Sequence, residues 1–291
     1  EAPYMLSANT AWLVLNTTKP PMNDPAFRKG LASSIDVSKI VNVVYGNIVQ
    51  ASSPTGLLPN WDKYVDQDVV NQLGFSYDPD KAKSILAQAG YKDVDGDGFL
   101  EAPDGSQIKL SIIVPNGWTD WMESIRVIAD SAQAVGINLT PDFPDYNALV
   151  DARNSGNFDM VINNDKQISN TPWTYYDYVF RLPILDAQTT TNFGRYENTE
   201  AWDLVQQLDQ TPVDDIEGMK AITSQLQKIQ LTDLPIIPLW YNGMWAQTSN
   251  AVWTNWPSSE EGSNHYTPST WRGYWNMTAI LMLTELEPAQ Q

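Results

Sequence analysis

The middle of the chain alternates between strand-like and helix-like spacing of its apolar residues. Apolar and polar positions alternate over 108–114, and a proline follows, which predicts a strand. Apolar residues then recur at helical spacing over 121–135, up to Gly136. The next segments predict a strand, a helix that begins after Asp145, and a third strand, at 137–140, 146–156 and 158–162. Right-handed crossovers would make the three strands parallel, with their carboxyl ends at one edge of an α/β sheet.

Helix start signals precede this unit. Asp24-Pro25 and Asp78-Pro79 each supply an N-cap followed by proline at the first helical position, and apolar residues at helical spacing follow both. A further helix is predicted over 37–44, ending at Gly46. Residues 52–74 are rich in Pro, Gly, Asn and Asp, which predicts a long surface excursion.

The last third of the chain combines helices, a proline-containing strand and many indoles. Helical spacing recurs over 201–208 and 219–229. Residues 234–241 predict a strand, but its two prolines lack the N–H donors of a central strand, so we expect an edge or crossing segment. Six of the twelve tryptophans lie in 240–275.

Composition excludes several classes of protein. The 291 residues carry 17 Lys+Arg against 35 Asp+Glu, a net charge of −18, which repels phosphate backbones and makes nucleic acid an unexpected partner. The apolar runs are far shorter than the roughly 20 residues that a membrane span needs. There is no cysteine, hence no disulfide and no thiolate chemistry. The amino terminus has neither the basic nor the apolar region of a leader, so we expect a mature protein or a fragment.

Aromatic and amide side chains follow the predicted parallel strands, where open α/β sheets bind ligands. The candidate ligand-binding residues at this edge are Asn116, Trp118 and Trp121 after the first strand, and Asn163, Asn164 and Asp165 after the third. Candidates further along the chain are Trp173, Tyr176, Trp240, Tyr241, Asn242 and Trp245. Sugar rings pack their C–H faces on aromatic rings, and their hydroxyls need amides and carboxylates. The combination therefore favours an oligosaccharide ligand.

A packing role competes with this interpretation for every tryptophan, because buried aromatics supply much of a protein core. Trp121 lies on the buried stripe of its helix, and we assign Trp12 and Trp202 to packing or to a hinge. A core role explains Asn163 and Asn164 poorly, since amides just past the carboxyl end of a strand face the ligand edge.

An acidic loop forms a second motif. Asp93, Asp95 and Asp97 occupy positions 1, 3 and 5 of a calcium loop, with Phe99 at position 7 and Asp104 at position 12. Asp and Gly are also the ordinary residues of a solvated turn, and this alternative stays open. A structural Ca²⁺ here would hold the loop without contacting the ligand, and no other cofactor is expected.

The order of four segments resembles the carboxy-terminal half of the family 5 extracellular solute-binding proteins of ABC importers, which take up dipeptides, oligopeptides, nickel and some oligosaccharides. These segments are 15–32 with 34–36, 77–91, 136–137 and 234–239. Residues 117–122 are also similar to the branch of the family that takes cellobiose-type β-glucosides.

The resemblance implies one lobe of a two-lobed periplasmic-binding-protein-like clamp. Residues 1–20 would be one hinge crossing, 21–234 the α/β ligand-binding lobe, and 235–291 the return crossing together with packing against an amino-terminal lobe that this chain lacks. The implied partners are that lobe, a cello-oligosaccharide-like ligand and a membrane permease. The implied location is extracytoplasmic, either periplasmic or as a cell-surface lipoprotein.

Two other functions remain in view. A peptide-binding protein of the same family would use a carboxylate such as Asp165 or Asp177 for the amino terminus of its ligand. Nickel binding is disfavoured because His265 is the only histidine. A glycoside hydrolase needs two carboxyls across the scissile bond, but the adjacent pairs here, Asp214-Asp215 and Glu260-Glu261, are typical of solvated surface. We therefore expect no enzyme.

Overall fold

A mixed sheet is the centre of the structure. The computed structural model describes residues 4–165, 169–246, 248–257 and 278–289, without the side chains of 4–6, 244–246, 278 and 279. Six strands pair in the order β2-β6-β1-β5-β3-β4. Their bounds are β1 Tyr4–Leu15, β2 Gln50–Ala51, β3 Leu110–Ile113, β4 Leu139–Asp142, β5 Met160–Asn163 and β6 Ile236–Ala246. A separate pair joins β7 (Trp253–Thr254) to β8 (Glu287–Pro288).

Helices cover both faces of this sheet. The α-helices are α1 Pro25–Ser34, α2 Val37–Lys39, α3 Gln67–Leu73, α4 Pro79–Gln88, α5 Thr119–Gln133, α6 Tyr146–Ser155, α7 Trp173–Phe180, α8 Thr199–Gln210, α9 Ile216–Asp233 and α10 Thr278–Thr284. A π-helical turn, Ile40–Val44, continues α2, and a 3₁₀ helix spans Pro59–Tyr64. None of the helices described is long and apolar enough to cross a bilayer.

The predicted parallel unit is confirmed. β3 pairs in parallel with β4 on one side and with β5 on the other. Asp145 caps α6 by accepting a hydrogen bond from the N–H of Ala148, and Gly156 ends the helix in the left-handed region at φ 77°. Asp24 and Asp78 cap α1 and α4 in the same way, as predicted.

Alternation along the strands divides the core between two faces. Met160 and Ile162 of β5 point into a cluster with α1, α4 and α5, whereas Val161 points into a second cluster with α6 to α9. Trp12 of β1 lies in the second cluster, with its ring 5.2 Å from Tyr175 and 4.8 Å from Tyr178. Trp12 is 1% exposed, which confirms its assignment to packing.

One loop prediction is wrong. Residues 52–74 contain the 3₁₀ helix and α3 rather than a surface excursion, and Leu57, Leu58, Trp61 and Tyr64 are buried in the second cluster. The Pro, Gly and Asp residues there act as helix start signals and turns between short helices. Asp66, for example, caps α3 by accepting from the N–H groups of Asp68 and Val69.

β1 and β6 form a ribbon that extends beyond the rest of the sheet. Only Trp12 to Leu15 of β1 pair with β5, whereas β1 pairs with β6 from Tyr4 to Val14. On its other side β6 pairs with β2 at Trp240 and Tyr241 alone. Over most of its length β6 is therefore an edge strand within the described part of the chain, as its prolines predicted.

The buried tyrosines predict a loss of stability at alkaline pH. Burial raises the pKa of Tyr175, Tyr176 and Tyr178, so the folded protein keeps their protons above pH 10, where the unfolded chain releases them. The free energy of unfolding should fall as pH rises, by roughly 1 kcal/mol for each such tyrosine at about pH 11. Urea unfolding at pH 8 and pH 11 measures this.

The control is the absorbance of tyrosinate, which counts ionised phenols in the folded protein. It should show incomplete ionisation until the protein unfolds. Equal stability at the two pH values, or ionisation of every tyrosine in the folded state, would contradict the burial of these side chains.

Candidate functional site

The carboxyl ends of the three parallel strands lie at one edge of the sheet. β1 and β6 add to this edge because β1 runs antiparallel to β5 and to β6. The amino-terminal part of β1 and the carboxyl-terminal part of β6 therefore lie beyond the end of β5. Each of these five strands places polar or aromatic side chains here, and we call the region the ligand edge.

Three asparagines on neighbouring strands form an amide row at the ligand edge. Asn9 of β1 is opposite Asn242 of β6, and Nδ2 of Asn164 donates to Oδ1 of Asn9 at 3.3 Å. Asn164 and Asn242 are half-buried, and Asn9 is 8% exposed. No described residue hydrogen-bonds the Asn242 side chain. The row therefore offers amide donors and acceptors from three strands.

An aromatic pair occupies the opposite end of the ligand edge. Trp118, between β3 and α5, stacks on Tyr146 at the start of α6, with 5.9 Å between ring centroids and 26° between their planes. Trp118 is 42% exposed and Tyr146 is 55% exposed. Trp121 packs edge-on against Trp118 from the core side, at 5.0 Å. We call Trp118 and Tyr146 the aromatic step.

The polar residues after β5 form an internal network. Oδ1 of Asn163 accepts from the N–H of Asp165 at 2.8 Å, and its Nδ2 donates to Oδ2 of Asp165 at 3.1 Å. The same carboxylate oxygen forms an ion pair of 3.0 Å with Arg153 of α6, whose guanidinium stacks on Phe193. Asn163 is 4% exposed. Asn163 thus shapes the loop that carries Asn164 and Asp165.

Asp120 adds a carboxylate at the first turn of α5, next to the aromatic step. Tyr45 donates its hydroxyl to Oδ2 of Asp120 at 3.1 Å. Burial, together with the negative charge of Asp120, raises the pKa of Tyr45, so the phenol stays a donor. This contact fixes Asp120 at the ligand edge.

Several predicted site residues lie in the core instead of at an exposed surface. Trp121, Tyr176 and Trp240 are buried, and Trp240 packs against Tyr45 at 5.3 Å. The Tyr241 hydroxyl donates to the carbonyl of Leu57 and accepts from the N–H of Ser53. Because they are buried, the side chains of Trp121, Tyr176, Trp240 and Tyr241 do not contact a ligand at the ligand edge.

The remaining candidates divide differently. Trp173 is half-buried against the second core cluster, and Asn116 is exposed directly after β3. Trp245 belongs to β6, but its side chain lies outside the described residues, as do His265 and the Glu260-Glu261 pair. Asn116 therefore joins the ligand edge, between the amide row and the aromatic step.

The acidic loop gathers a different ligand set from the one predicted. Carboxylate oxygens of Asp93, Asp95 and Glu101 lie within 4.8 Å of one another. Asp97 accepts from the N–H of Phe99. Asp104, predicted to close the shell, accepts instead from the backbone and hydroxyl of Ser106, and these bonds lower its pKa.

Hydrogen bonds already hold this loop as a turn. Asp93 accepts from the N–H groups of Gly96 and Gly98, and Glu101 accepts from the N–H of Val94. The structure therefore departs from the calcium-loop pattern at position 12, and calcium binding stays a prediction of the sequence alone.

Sequence reasoning missed Asn9, Tyr146 and Asp120 as site residues. Tyr146 opens the helix predicted over 146–156, and because it follows the N-cap directly it lies at the carboxyl end of β4. Asn9 lies in the segment 1–20, which the resemblance implies is a hinge crossing, and the structure forms a strand there from Tyr4 to Leu15. The pairing of β1 with β5 and β6 places Asn9 at the ligand edge.

Comparison with known proteins identifies the family. A family model described as bacterial extracellular solute-binding proteins, family 5 Middle, matches residues 3–182. The chain belongs to this family. Two crystal structures of a Thermotoga maritima periplasmic oligopeptide-binding protein of an ABC transporter superpose with TM-scores of 0.91 and 0.87, at 42% identity. They cover 99% and 100% of this chain, and the second has mannohexaose bound.

Curated relatives are described as an oligopeptide-binding protein and a peptide transport protein. The oligopeptide-binding protein AppA of Bacillus subtilis is 28% identical over 156 residues, which is 53% of this chain and 28% of AppA. The peptide transport periplasmic protein SapA of Salmonella typhimurium is 26% identical over 239 residues, 79% of this chain and 39% of SapA. The chain thus spans less than half of these relatives and 54% of the Thermotoga structures.

Asn163 and Asn116 should differ sharply in their effect on stability. Asn163→Ala removes two hydrogen bonds made by a side chain that is 4% exposed, so we expect the free energy of unfolding to fall by about 1–2 kcal/mol. Asn116→Ala is the matched control, because its exposed side chain should change stability by no more than about 0.5 kcal/mol. Urea unfolding compares them, and equal losses would show that Asn163 does not organise this loop.

Proposed function

We propose that this chain is part of the substrate-binding component of an ABC importer and that its ligand is an oligosaccharide. The observation that carries the proposal is the ligand edge, where an exposed aromatic step stands beside amides from neighbouring strands. Aromatic faces and amides together match the C–H faces and hydroxyls of pyranose rings. The mannohexaose complex of the 42% identical Thermotoga protein supports the same ligand class.

Peptide binding is the alternative, supported by the descriptions of AppA and SapA. The two carboxylates proposed for the amino terminus of a peptide are both engaged with arginines, however. Asp165 pairs with Arg153, and Asp177, with its side chain 2% exposed, pairs with Arg181. Cations of the chain itself already partly neutralise both carboxylates, so the described residues favour a neutral, hydroxyl-rich ligand.

The proposed site is one half of a cleft. Residues 1–20 and 235–291 would carry the crossings to an amino-terminal lobe, and the ribbon of β1 and β6 supports this because it extends past the sheet at the ligand edge. Ligand contacts from both lobes would stabilise the closed arrangement, which a membrane permease would recognise outside the cytoplasm. Binding, without catalysis, is the proposed role.

The ligand class can be tested on the complete protein that contains this chain. Cello-oligosaccharides, mannohexaose and mixed peptides are added separately, and binding is followed by tryptophan fluorescence and calorimetry. We expect binding of at least one of the sugars and no response to peptides. The added sugars should remain intact after prolonged incubation. Shortened sugars would instead support the hydrolase alternative.

Asp165→Asn separates the two ligand classes further. The substitution removes the charge that a peptide amino terminus would need. It keeps a side-chain oxygen that can accept from Asn163 and Arg153, so we expect the amide row and the aromatic step to stay in place. Sugar affinity should therefore change less than about threefold, in keeping with the small contribution of an exposed ion pair. Binding of peptides alone, weakened by this substitution, would overturn the oligosaccharide proposal.

A further inference from the structure

The side chains of the ligand edge are arranged in strand order. From one end to the other they are Asn242 on β6, Asn9 on β1, Asn164 after β5, Asn116 and Trp118 after β3, and Tyr146 after β4. Amides occupy one end and rings the other. A ligand that used only one strand end would contact one kind of group, whereas a ligand lying across the strands would contact both.

The spacing of the strands sets the length of such a ligand. Neighbouring strands lie about 4.8 Å apart, so the four intervals from β6 to β4 span about 19 Å. A pyranose built of bonds of about 1.5 Å spans about 3 Å from C1 to C4, and its linking oxygen raises the repeat to about 5 Å. The repeat of the sugar and the spacing of the strands therefore nearly coincide, and each successive ring meets the next strand end.

We infer that the ligand is an extended oligosaccharide of about four or more rings that lies across the strand ends, with one end at Asn242 and the other on Tyr146. This inference rests on the proposed function and deepens it. Four rings of about 5 Å each fill the span of about 19 Å. A disaccharide, at about 10 Å, contacts one end and leaves the other empty.

Tyr146 gains a specific role from this geometry. Its ring is more than half exposed and extends the surface of Trp118 by one strand interval. A longer sugar stacks on it, and a shorter sugar bound at the amide row does not reach it. Tyr146 thus selects ligands by length.

The test measures affinity of the complete protein for two sugar series, cellobiose to cellohexaose and mannobiose to mannohexaose. Calorimetry is carried out with wild type, Asn242→Ala, Tyr146→Ala and the double variant. Tyr77→Ala is the matched control, because Tyr77 is 50% exposed and follows none of the sheet strands. Circular dichroism and urea unfolding confirm that each variant is folded.

In the series that binds, affinity should rise up to about four rings and then level off. Each single substitution should weaken hexasaccharide binding about tenfold, which is the size of one stacking or hydrogen-bonding contact. The two losses should add in the double variant, because the sites are far apart. A disaccharide should respond to one substitution and not to both, and Tyr77→Ala should change nothing.

Two results would overturn the length inference while leaving the oligosaccharide proposal standing. In the first, a disaccharide binds as tightly as a hexasaccharide. In the second, the hexasaccharide responds to only one of the two substitutions. Binding of peptides with no response to either sugar series is a different result, which refutes the proposed function and the inference together.

Discussion

The register of β1 between β5 and β6 is the constraint on which the ligand edge depends. Trp12 is opposite Asn163, and three positions earlier Asn9 is opposite Asn242. A slip of one residue would turn every side chain of β1 to the other face of the sheet. Trp12 resists such a slip because its indole is enclosed by Tyr175 and Tyr178 in the core. A buried packing residue therefore sets the position of the amide row.

Local and long-range interactions contribute differently to the two ends of the edge. The aromatic step arises within the parallel unit, because α5 and α6 each begin just after a strand and place Trp118 and Tyr146 side by side. The amide row arises because β1 lies beside two strands that are each more than 140 residues further along the chain. In the proposed clamp, the first end is built into one lobe, while the second lies where the β1–β6 ribbon leaves it.

The parallel unit was predictable from sequence. The spacing of apolar residues and the helix caps are local signals, and the right-handed crossover is a general rule. Asp145 and Gly156, for example, mark both ends of α6. The pairing of β1 with β6 was not predictable, because no local pattern in the sequence indicates which distant strand lies beside β1. Burial was predictable for Trp121, because helical spacing places it on the buried stripe of its helix, but not for Trp240 and Tyr241, which were expected to contact ligand and lie in the core. The acidic loop shows the same limit, because Glu101 joins the cluster that spacing assigned to Asp104.

A crystal structure of the complete protein with bound mannohexaose would test the central claim most directly, namely that the ligand edge holds an extended sugar. We expect a pyranose ring stacked on the aromatic step, further rings across the ends of β3, β5 and β1, and hydroxyls within hydrogen-bond distance of Asn164 and Asn242. Mannohexaose bound without contact to Trp118, Asn164 or Asn242 would contradict the claim.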